Sequence, residues 1–175
     1  MSPDPSPVLR RVRPNDSEAI LEAFAAPDMS RQGDVHDLTS AATYARRLSE
    51  NPFAFGLTTE GTLYGVVALN VDHGNRLGWF WYWTHPSHRQ RGLTKRAAAT
   101  VATWALSDGG LERLELGHRA NNPASGRIAT AAGFIREGLE RKKFLVNGER
   151  VDVLTYGRLR TDPPPKTPEL ALTAT

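Results

Sequence analysis

One short stretch near the middle of the chain constrains the fold more than any other. An aromatic run from Trp79 to Trp83 leads through a basic turn containing Gly92 into a helical pattern from Lys95 to Ser107. The pattern predicts a strand that delivers the chain into a turn and then directly into a helix. The first backbone N–H groups of a helix have no intrahelical partner, and the helix dipole makes that end positive.

The turn that opens this helix is rich in positive charge. Its basic side chains are Arg89, Arg91, Lys95 and Arg96, and Gly92 lets the backbone approach a ligand closely. A phosphate group is the ligand that such a helix start favours. The turn has neither the Gly-x-x-x-x-Gly-Lys-Ser/Thr run of a Walker loop nor the Gly-x-Gly-x-x-Gly run of a dinucleotide fold. A charged surface turn without a ligand is the alternative interpretation.

This turn resembles the pyrophosphate-binding turn of the GNAT superfamily of acetyl-CoA-dependent N-acetyltransferases, and the resemblance is carried by Arg89-Gln90-Arg91-Gly92-Leu93-Thr94. The family motif has Arg or Gln, two residues, Gly, one residue, and then Gly or Ala. Thr94 departs from the last position. The resemblance implies acetyl-CoA as cosubstrate and a coenzyme-binding set made up of Trp83, Thr84, Arg89, Gln90, Arg91, Gly92, Leu93, Thr94, Lys95 and Asn122.

A second motif further along the chain carries the same resemblance. Asn122 and Ser125 form an Asn-x-x-Ser element, and the pair Gly133-Phe134 follows the apolar positions of a short helix. Both features are similar to the Rim-type branch of the superfamily, whose members acetylate ribosomal-protein N-termini. The similarity runs from about Leu9 to Arg160 and implies the GNAT fold for that part of the chain.

Helical and strand periods alternate in the order β-α-α-β-β-β-α-β-α-β-β. This order predicts an α/β fold in which a mixed central sheet carries helices on both faces. The resemblance to the GNAT superfamily implies that this sheet is mostly antiparallel, with a splayed pair of strands forming the acetyl-CoA cleft.

Several local patterns predict individual helix starts and buried positions. Asn15 and Glu18 have the spacing of a capping box at the first helix. On the second helix, the positions expected to face the core are Ala42, Tyr44, Ala45 and Leu48. Asn122 is predicted to cap the last helix, with Pro123 in its first position and Gly133 just past its end.

Three tryptophans share one face of the aromatic strand, because the side chains of a strand alternate with a period of two. They are Trp79, Trp81 and Trp83. Core packing is the expected role of Trp79, and it is less expected for Trp83, which adjoins the basic turn.

Length and composition narrow the class of protein. The 175 residues predict a single domain over residues 8–160, and the proline-containing residues 1–7 and 161–175 are predicted to be flexible tails. The chain has no cysteine, which excludes a disulfide framework and a thiolate nucleophile. The formal net charge of +3 does not require nucleic acid as a partner. Neither an apolar signal core nor a membrane-length apolar run is present. We therefore expect a cytoplasmic monomer or homodimer without a membrane partner.

The resemblance implies a direct transfer in which an uncharged amine attacks the thioester within a ternary complex. In the family, backbone N–H groups at the end of the aromatic strand serve the oxyanion, which places Trp83 and Thr84 beside the thioester. Ser125 is the candidate acid for the leaving thiolate, since the Rim-type branch uses this Ser and Ala129 stands where other members have a Tyr. Asn122 is expected to fix a water or the pantetheine arm. Helix capping explains Asn122 equally well, and Ser125 is otherwise a small polar residue of the first turn.

The candidates for the general base are Glu115 and His118. In relatives the base is a carboxylate near the position of Gly117, which has no side chain here. Glu115 shares that strand face and could act through a bridging water, or it could be an ion-paired strand residue. His118 could serve because an imidazole titrates near neutral pH, or it could cap a backbone group in a turn. The remaining histidines lack metal-ligand spacing, so no metal is expected.

The acceptor amine is expected to enter between the loop from Asp28 to Leu38 and the final hairpin at Asn147-Gly148. The acidic residues that could attract a cationic amine there are Asp28, Asp34, Asp37, Glu137 and Glu140. By analogy of fold, a peptide or protein α-amine ranks first and a small antibiotic-like amine second, with a polyamine also open. The alternative to an enzyme is a module that binds acyl-CoA without catalysing a transfer.

Overall fold

The computed structural model describes residues 6–174. Its strands are β1 (Val8–Arg11), β2 (Ala54–Thr59), β3 (Thr62–Asp72), β4 (Leu77–Thr84), β5 (Arg113–Arg119), β6 (Ile135–Val146), β7 (Glu149–Leu159) and β8 (Ala171–Thr173). Its α-helices are α1 (Ser17–Phe24), α2 (Leu38–Glu50), α3 (Leu93–Leu106) and α4 (Pro123–Ala131). Short 3₁₀ turns span Pro14–Asp16, Pro27–Arg31 and Pro86–His88. No helix among residues 6–174 is both long and apolar enough to cross a membrane.

All eight strands form one sheet in the order β6-β7-β5-β4-β3-β2-β1-β8. The pairs β4–β5 and β1–β8 are parallel, and the other neighbours are antiparallel. One buried cluster contains residues of α1 and α2, and a second contains residues of α3 and α4. The predicted α/β class, the mixed and mostly antiparallel sheet and the helices on both faces are confirmed.

The neighbouring strands β4 and β5 separate after a short paired stretch. Their pairing joins Leu77–Trp79 to Arg113–Glu115. Beyond this point β4 continues to Thr84 beside β3, and β5 continues to Arg119 beside β7. Each strand is therefore held on its outer side, while a cleft opens between them.

The caps of the helices show where local sequence determined the structure. The side chain of Asn122 accepts a hydrogen bond from the backbone N–H of Ser125 at 3.4 Å, Pro123 begins α4, and Gly133 follows it with a φ of 83°. These predictions are confirmed. The capping box predicted at α1 is wrong, because the helix begins one residue later than predicted, with Asp16 at its N-cap in place of Asn15. The buried Asp16 carboxylate instead pairs with Arg10 at 2.7 Å and fixes the preceding 3₁₀ turn.

The buried face of α2 is shifted by one residue from the prediction at its N-terminal end. Ala41 is fully buried and Ala42 is exposed, whereas Ala45 and Leu48 are buried as predicted. Tyr44 is half-buried and packs edge-to-face against the buried Phe24, with 5.3 Å between ring centroids. Its hydroxyl accepts a hydrogen bond from Trp83 Nε1 at 3.1 Å. The helix thus buries small residues against the sheet and presents Tyr44 at the edge of that contact.

The burial of the tryptophans of β4 is the reverse of the prediction, because Trp83 is more buried than Trp79. Trp83 is 3% exposed and packs edge-to-face against Phe24, with 5.5 Å between ring centroids. Trp79 is 37% exposed, at the point where β4 pairs with Glu115. The covering helices α1 and α2 lie over the Trp83 end of the strand, and this tertiary arrangement cannot be read from the alternation of side chains.

The segment after Arg160 differs from the flexible tail predicted for residues 161–175. β8 pairs in parallel with β1, and Leu170 is 7% exposed. The backbone N–H of Leu170 donates to Thr100 Oγ1 at 2.9 Å, and Arg96 donates to the carbonyls of residues 168 and 169. These contacts fasten the segment across α3. Of the tail predicted for residues 1–7, residues 1–5 lie outside the described part of the chain.

Leu170→Ala is expected to lower the free energy of unfolding by about 2 kcal/mol, because it removes a buried side chain and leaves a cavity. Urea unfolding followed by circular dichroism measures the change. Thr173→Ala, at an exposed position of β8, is the control and should stay within about 0.5 kcal/mol of the unmodified chain. Equal stabilities for both variants would show that the segment is loose in solution.

Candidate active site

The separation of β4 and β5 forms a cleft of about 830 Å³. Its walls come from β4, the turn before α3, the start of α4 and the 3₁₀ turn Pro27–Arg31. Of the residues predicted for the site, those that line the cleft are Trp83, Thr84, Arg89, Gln90, Gly92, Thr94, Lys95, Asn122 and Ser125. Arg91, Leu93, Glu115 and His118 are not among the lining residues.

The backbone of the turn offers a row of hydrogen-bond donors. Gln90 and Gly92 have φ angles of 64° and 74°, in the left-handed region. Among residues 6–174, no backbone N–H from Gln90 to Lys95 donates to another group, and the first such bond of α3 runs from Arg96 to the Gly92 carbonyl at 3.3 Å. Free N–H groups at a helix start suit an anion, so the turn fits the diphosphate of a coenzyme.

Thr94, which departs from the small residue of the family motif, has a structural partner. Its Oγ1 lies 2.8 Å from Oγ1 of Thr84, which is 6% exposed. The two hydroxyls join the first turn of α3 to the last residue of β4. The extra side chain is therefore accommodated without crowding the turn, and it links the two elements that form the end of the cleft.

The arginines of the turn have different tasks. Arg89 donates from Nε to the Thr84 carbonyl at 3.0 Å and from Nη1 to Asp28 at 2.6 Å. It thereby fastens the turn to the Pro27–Arg31 segment. Arg91 does not line the cleft. Its charge contributes, after burial, to lowering the pKa of His88.

Ser125 has a partner that the sequence did not reveal. Its Oγ lies 2.6 Å from the hydroxyl of Tyr82, and the same hydroxyl lies 3.1 Å from the Ser125 carbonyl oxygen. Burial raises the pKa of Tyr82 to about 12, so this hydroxyl keeps its proton throughout the neutral range. Both residues line the cleft, where they form a pair of hydroxyl groups.

The structure places Glu115 in an ion-pair network. Its carboxylate accepts from Arg113 Nε at 2.8 Å, and Arg113 also pairs with Glu137 at 2.5 Å. The neighbouring Gly117 is bounded by Trp79, since a Cβ there would lie 3.4 Å from Cη2 of that ring. An indole thus occupies the space next to the position where relatives place a carboxylate.

His118 lies on the other face of β5, buried at 6% exposure. Its Nε2 is 3.2 Å from the Tyr156 hydroxyl and its Nδ1 is 2.8 Å from the carbonyl of Arg119. It lines a separate cavity of about 580 Å³, which shares Lys95 and Arg127 with the cleft. Both ring nitrogens have partners within the protein, so His118 has a structural explanation.

The charges of the cleft differ from the acidic entrance expected from the sequence. Its basic residues are Arg31, Arg89, Lys95, Arg119 and Arg127, and its one carboxylate among the described residues is that of Asp28, paired with Arg89. The other expected acids are engaged elsewhere or absent from the lining; Glu137 pairs with Arg113 and Glu140 with Lys143. The cleft is therefore electropositive.

Tyr82, Arg119 and Arg31 are among the lining residues that the sequence reasoning missed. Tyr82 lies on the strand face opposite to the three tryptophans, and its position next to Trp83 was the available signal. Arg119 was missed because the sequence pattern predicts a strand from Leu111 to Gly117, whereas β5 extends two residues further. Arg31 comes from the 3₁₀ turn before α2, and its place at the cleft depends on tertiary packing alone.

Gly92→Val is expected to weaken coenzyme A binding at least about tenfold, because a β-branched residue disfavours the left-handed backbone that presents the N–H groups. Isothermal titration calorimetry with coenzyme A measures the effect. Gly110→Val is a matched control, since Gly110 has the same φ of 74° and equally open space around its Cβ position but lies after α3. Equal affinities for the two variants would contradict a role of the turn in binding.

Comparison with known proteins agrees with this geometry. The family model described as "Acetyltransferase (GNAT) domain" matches residues 8–135. The chain is 26% identical over 168 residues to YdaF of Bacillus subtilis, whose name assigns it provisionally to the ribosomal N-acetyltransferases, with 88% of this chain and 91% of YdaF covered. It is 29% identical over 106 residues to the ribosomal-protein-serine acetyltransferase of Escherichia coli, with 60% and 59% covered.

The fold also matches solved structures. RimL, a ribosomal-protein α-N-acetyltransferase in complex with coenzyme A, superposes with a TM-score of 0.78 at 20% identity, covering 88% of this chain and 94% of RimL. The family model spans most of the chain, and the similarity of fold agrees with it. The chain belongs to the GNAT acetyltransferase family, whose members are N-acetyltransferases that use acetyl-CoA as the acetyl donor.

Proposed function

We propose that this enzyme transfers the acetyl group of acetyl-CoA to the α-amine at the N-terminus of a peptide or protein. The names of two relatives, which refer to ribosomal acetyltransferases, support a protein acceptor. The observation that carries the proposal is the charge of the cleft, whose single described carboxylate is already paired with Arg89. A protein acceptor of the ribosomal kind would place the reaction in the cytoplasm.

The charge of the cleft selects for an amine that loses its proton easily. A free α-amine has a pKa of roughly 7.7–8.0, whereas a lysine amine has a pKa of about 10.4. Nearby positive charges disfavour the charged form of an amine and lower its pKa further. An α-amine among Arg31, Arg119 and Arg127 is then largely uncharged near neutral pH. After the attack, the nitrogen is positively charged and can release one proton to water, without a dedicated carboxylate base.

The coenzyme is held at the end of the cleft by main-chain groups. The backbone N–H groups from Gln90 to Lys95 bind its diphosphate, and the Lys95 side chain adds positive charge. Bound there, acetyl-CoA supplies a thioester whose carbonyl carbon is attacked by the amine. Trp83 and Thr84 at the end of β4 lie where backbone donors serve the developing oxyanion. Asn122 acts by capping α4, which orients Ser125.

The hydroxyl pair supplies the proton that the leaving thiolate needs. As the carbon–sulfur bond breaks, Ser125 gives its proton to the sulfur. The single proton of the Tyr82 hydroxyl, which lies within reach of both the carbonyl oxygen and Oγ of Ser125, then turns to Oγ and stabilises it. The proton released by the amine reaches solvent, from which Ser125 is reprotonated. The number of protons balances, since one leaves the amine and one is added to the thiolate.

Ser125→Ala is expected to lower kcat about 100-fold while leaving the dissociation constant of acetyl-CoA nearly unchanged, because the lost proton donor acts on the leaving group. Tyr82→Phe should lower kcat about tenfold, since it removes only the hydrogen bond to Ser125. Release of free thiol, followed with a chromogenic reagent, measures turnover.

Ser107→Ala, which removes an exposed hydroxyl at the end of α3, is the control for the loss of a serine. If Ser125→Ala retains the full rate, Ser125 is not the acid. If coenzyme affinity falls as much as kcat, the hydroxyl pair serves binding rather than proton transfer.

The pH dependence of kcat/KM separates an α-amine acceptor from a lysine acceptor. For a peptide with a free N-terminus the rate should rise with pH and level off at or below about pH 8, because the amine is then uncharged. For an N-terminally blocked peptide with one lysine it should be much lower and still be rising above about pH 9.

Glu115→Gln tests the remaining candidate base in the same assay. Its expected effect on kcat/KM is less than about threefold, because Glu115 is held by Arg113. A loss of about 100-fold would identify Glu115 as the base acting through water.

In the comparison of the two peptides, faster acetylation of lysine than of the α-amine would refute the proposed acceptor.

A further inference from the structure

Two arginines stand together at the side of the cleft where the acceptor is proposed to enter. Arg31 belongs to the 3₁₀ turn before α2, and Arg119 ends β5; both line the cleft. Burial and, next, the positive charge of Arg31 lower the pKa of Arg119. Like charges that converge at a partly buried position are unfavourable unless an anion joins them.

These two side chains have no acidic partner in the part of the chain that the structure describes. Among residues 6–174, neither Arg31 nor Arg119 forms an ion pair, whereas Arg10, Arg76, Arg89 and Arg113 each do. The Arg31 guanidinium donates from Nη2 to the amide oxygen of Asn147 at 3.5 Å. Their charges are thus available to a ligand.

The position of the pair favours the acceptor over the coenzyme as that ligand. The Arg31–Asn147 contact bridges the loop before α2 and the tip of the β6–β7 hairpin, the two segments between which the acceptor is expected to enter. The diphosphate is served by a different set of donors, the backbone N–H groups from Gln90 to Lys95. A guanidinium group binds a carboxylate with charge-assisted hydrogen bonds.

We propose that Arg31 and Arg119 bind an acidic side chain near the N-terminus of the acceptor, so that the enzyme selects peptides with Asp or Glu within their first few residues. The inference rests on the proposed function, since it concerns the residues that follow the acetylated amine. The acidic entrance predicted from the sequence is not present, and the proposal gives the electropositive entrance a role: it repels polyamines and basic peptides.

The test is a set of short peptides with a free N-terminal Ser and alanine elsewhere, carrying Asp, Asn or Lys at the second, third or fourth position. At the best of these positions, Asp should exceed the isosteric Asn about tenfold in kcat/KM, which corresponds to about 1.4 kcal/mol, and Lys should be the poorest. Raising the salt concentration should reduce the preference for Asp, since exposed charges are screened.

Charge reversal makes the test specific for the pair. Arg119→Glu and Arg31→Glu should each abolish the preference for Asp and improve the Lys peptide, with acetyl-CoA affinity unchanged. Arg46→Glu is the matched control, because it makes the same change of charge at an exposed position of α2 outside the cleft. Arg119→Gln provides a milder variant if reversal prevents folding, and it should lower the Asp rate to that of Asn.

The outcomes separate this inference from the function on which it rests. Equal rates for Asp, Asn and Lys peptides would overturn the acidic preference while leaving N-terminal acetylation intact. A loss of acetyl-CoA affinity in Arg119→Gln without any change in peptide preference would assign the pair to the coenzyme instead. If no peptide is acetylated although coenzyme A binds, the proposed function fails and this inference fails with it.

Discussion

The early end of the pairing between β4 and β5 is the constraint on which the site depends. Backbone polar groups that lose a strand partner need another one, from water or from a ligand. Here the loss is confined to one edge of each strand, because β3 and β7 continue to pair with the outer edges. The cleft is therefore a gap between two strands whose outer edges remain paired. The turn at Gly92 and the start of α4 are placed at its two sides by the strands that precede them.

Local chemistry made part of this arrangement predictable. The cap at Asn122 and the glycine after α4 depend on contacts within a few residues, and both were read correctly from the sequence. The turn that opens α3 was also predicted from its residues, and Gly92 lies immediately before the helix. The pairing of Tyr82 with Ser125 depends on the distance between β4 and α4, which no local pattern contains. The same reason explains the burial of Trp83 and Leu170, since each is covered by an element distant in the chain.

Charge was the least predictable property of the site. The acidic residues near the entrance suggested that a cationic amine is attracted there, but the sequence does not show which carboxylates form ion pairs. In the structure Glu137 pairs with Arg113 and Glu140 with Lys143, while within residues 6–174 neither Arg31 nor Arg119 has a carboxylate partner. Because the free charges determine the local field, the sign at the entrance is opposite to that suggested by the acidic residues.

The hydroxyl bridge between Thr84 and Thr94 has a consequence for how related chains vary. Each threonine alone would leave a polar group near the buried end of β4 without its present partner, and such groups are costly. The two positions should therefore change together during divergence: a chain with a small residue at the start of the helix has no need of a hydroxyl at the end of the strand. A motif scan that requires glycine or alanine at the position of Thr94 would overlook chains with this pair of threonines.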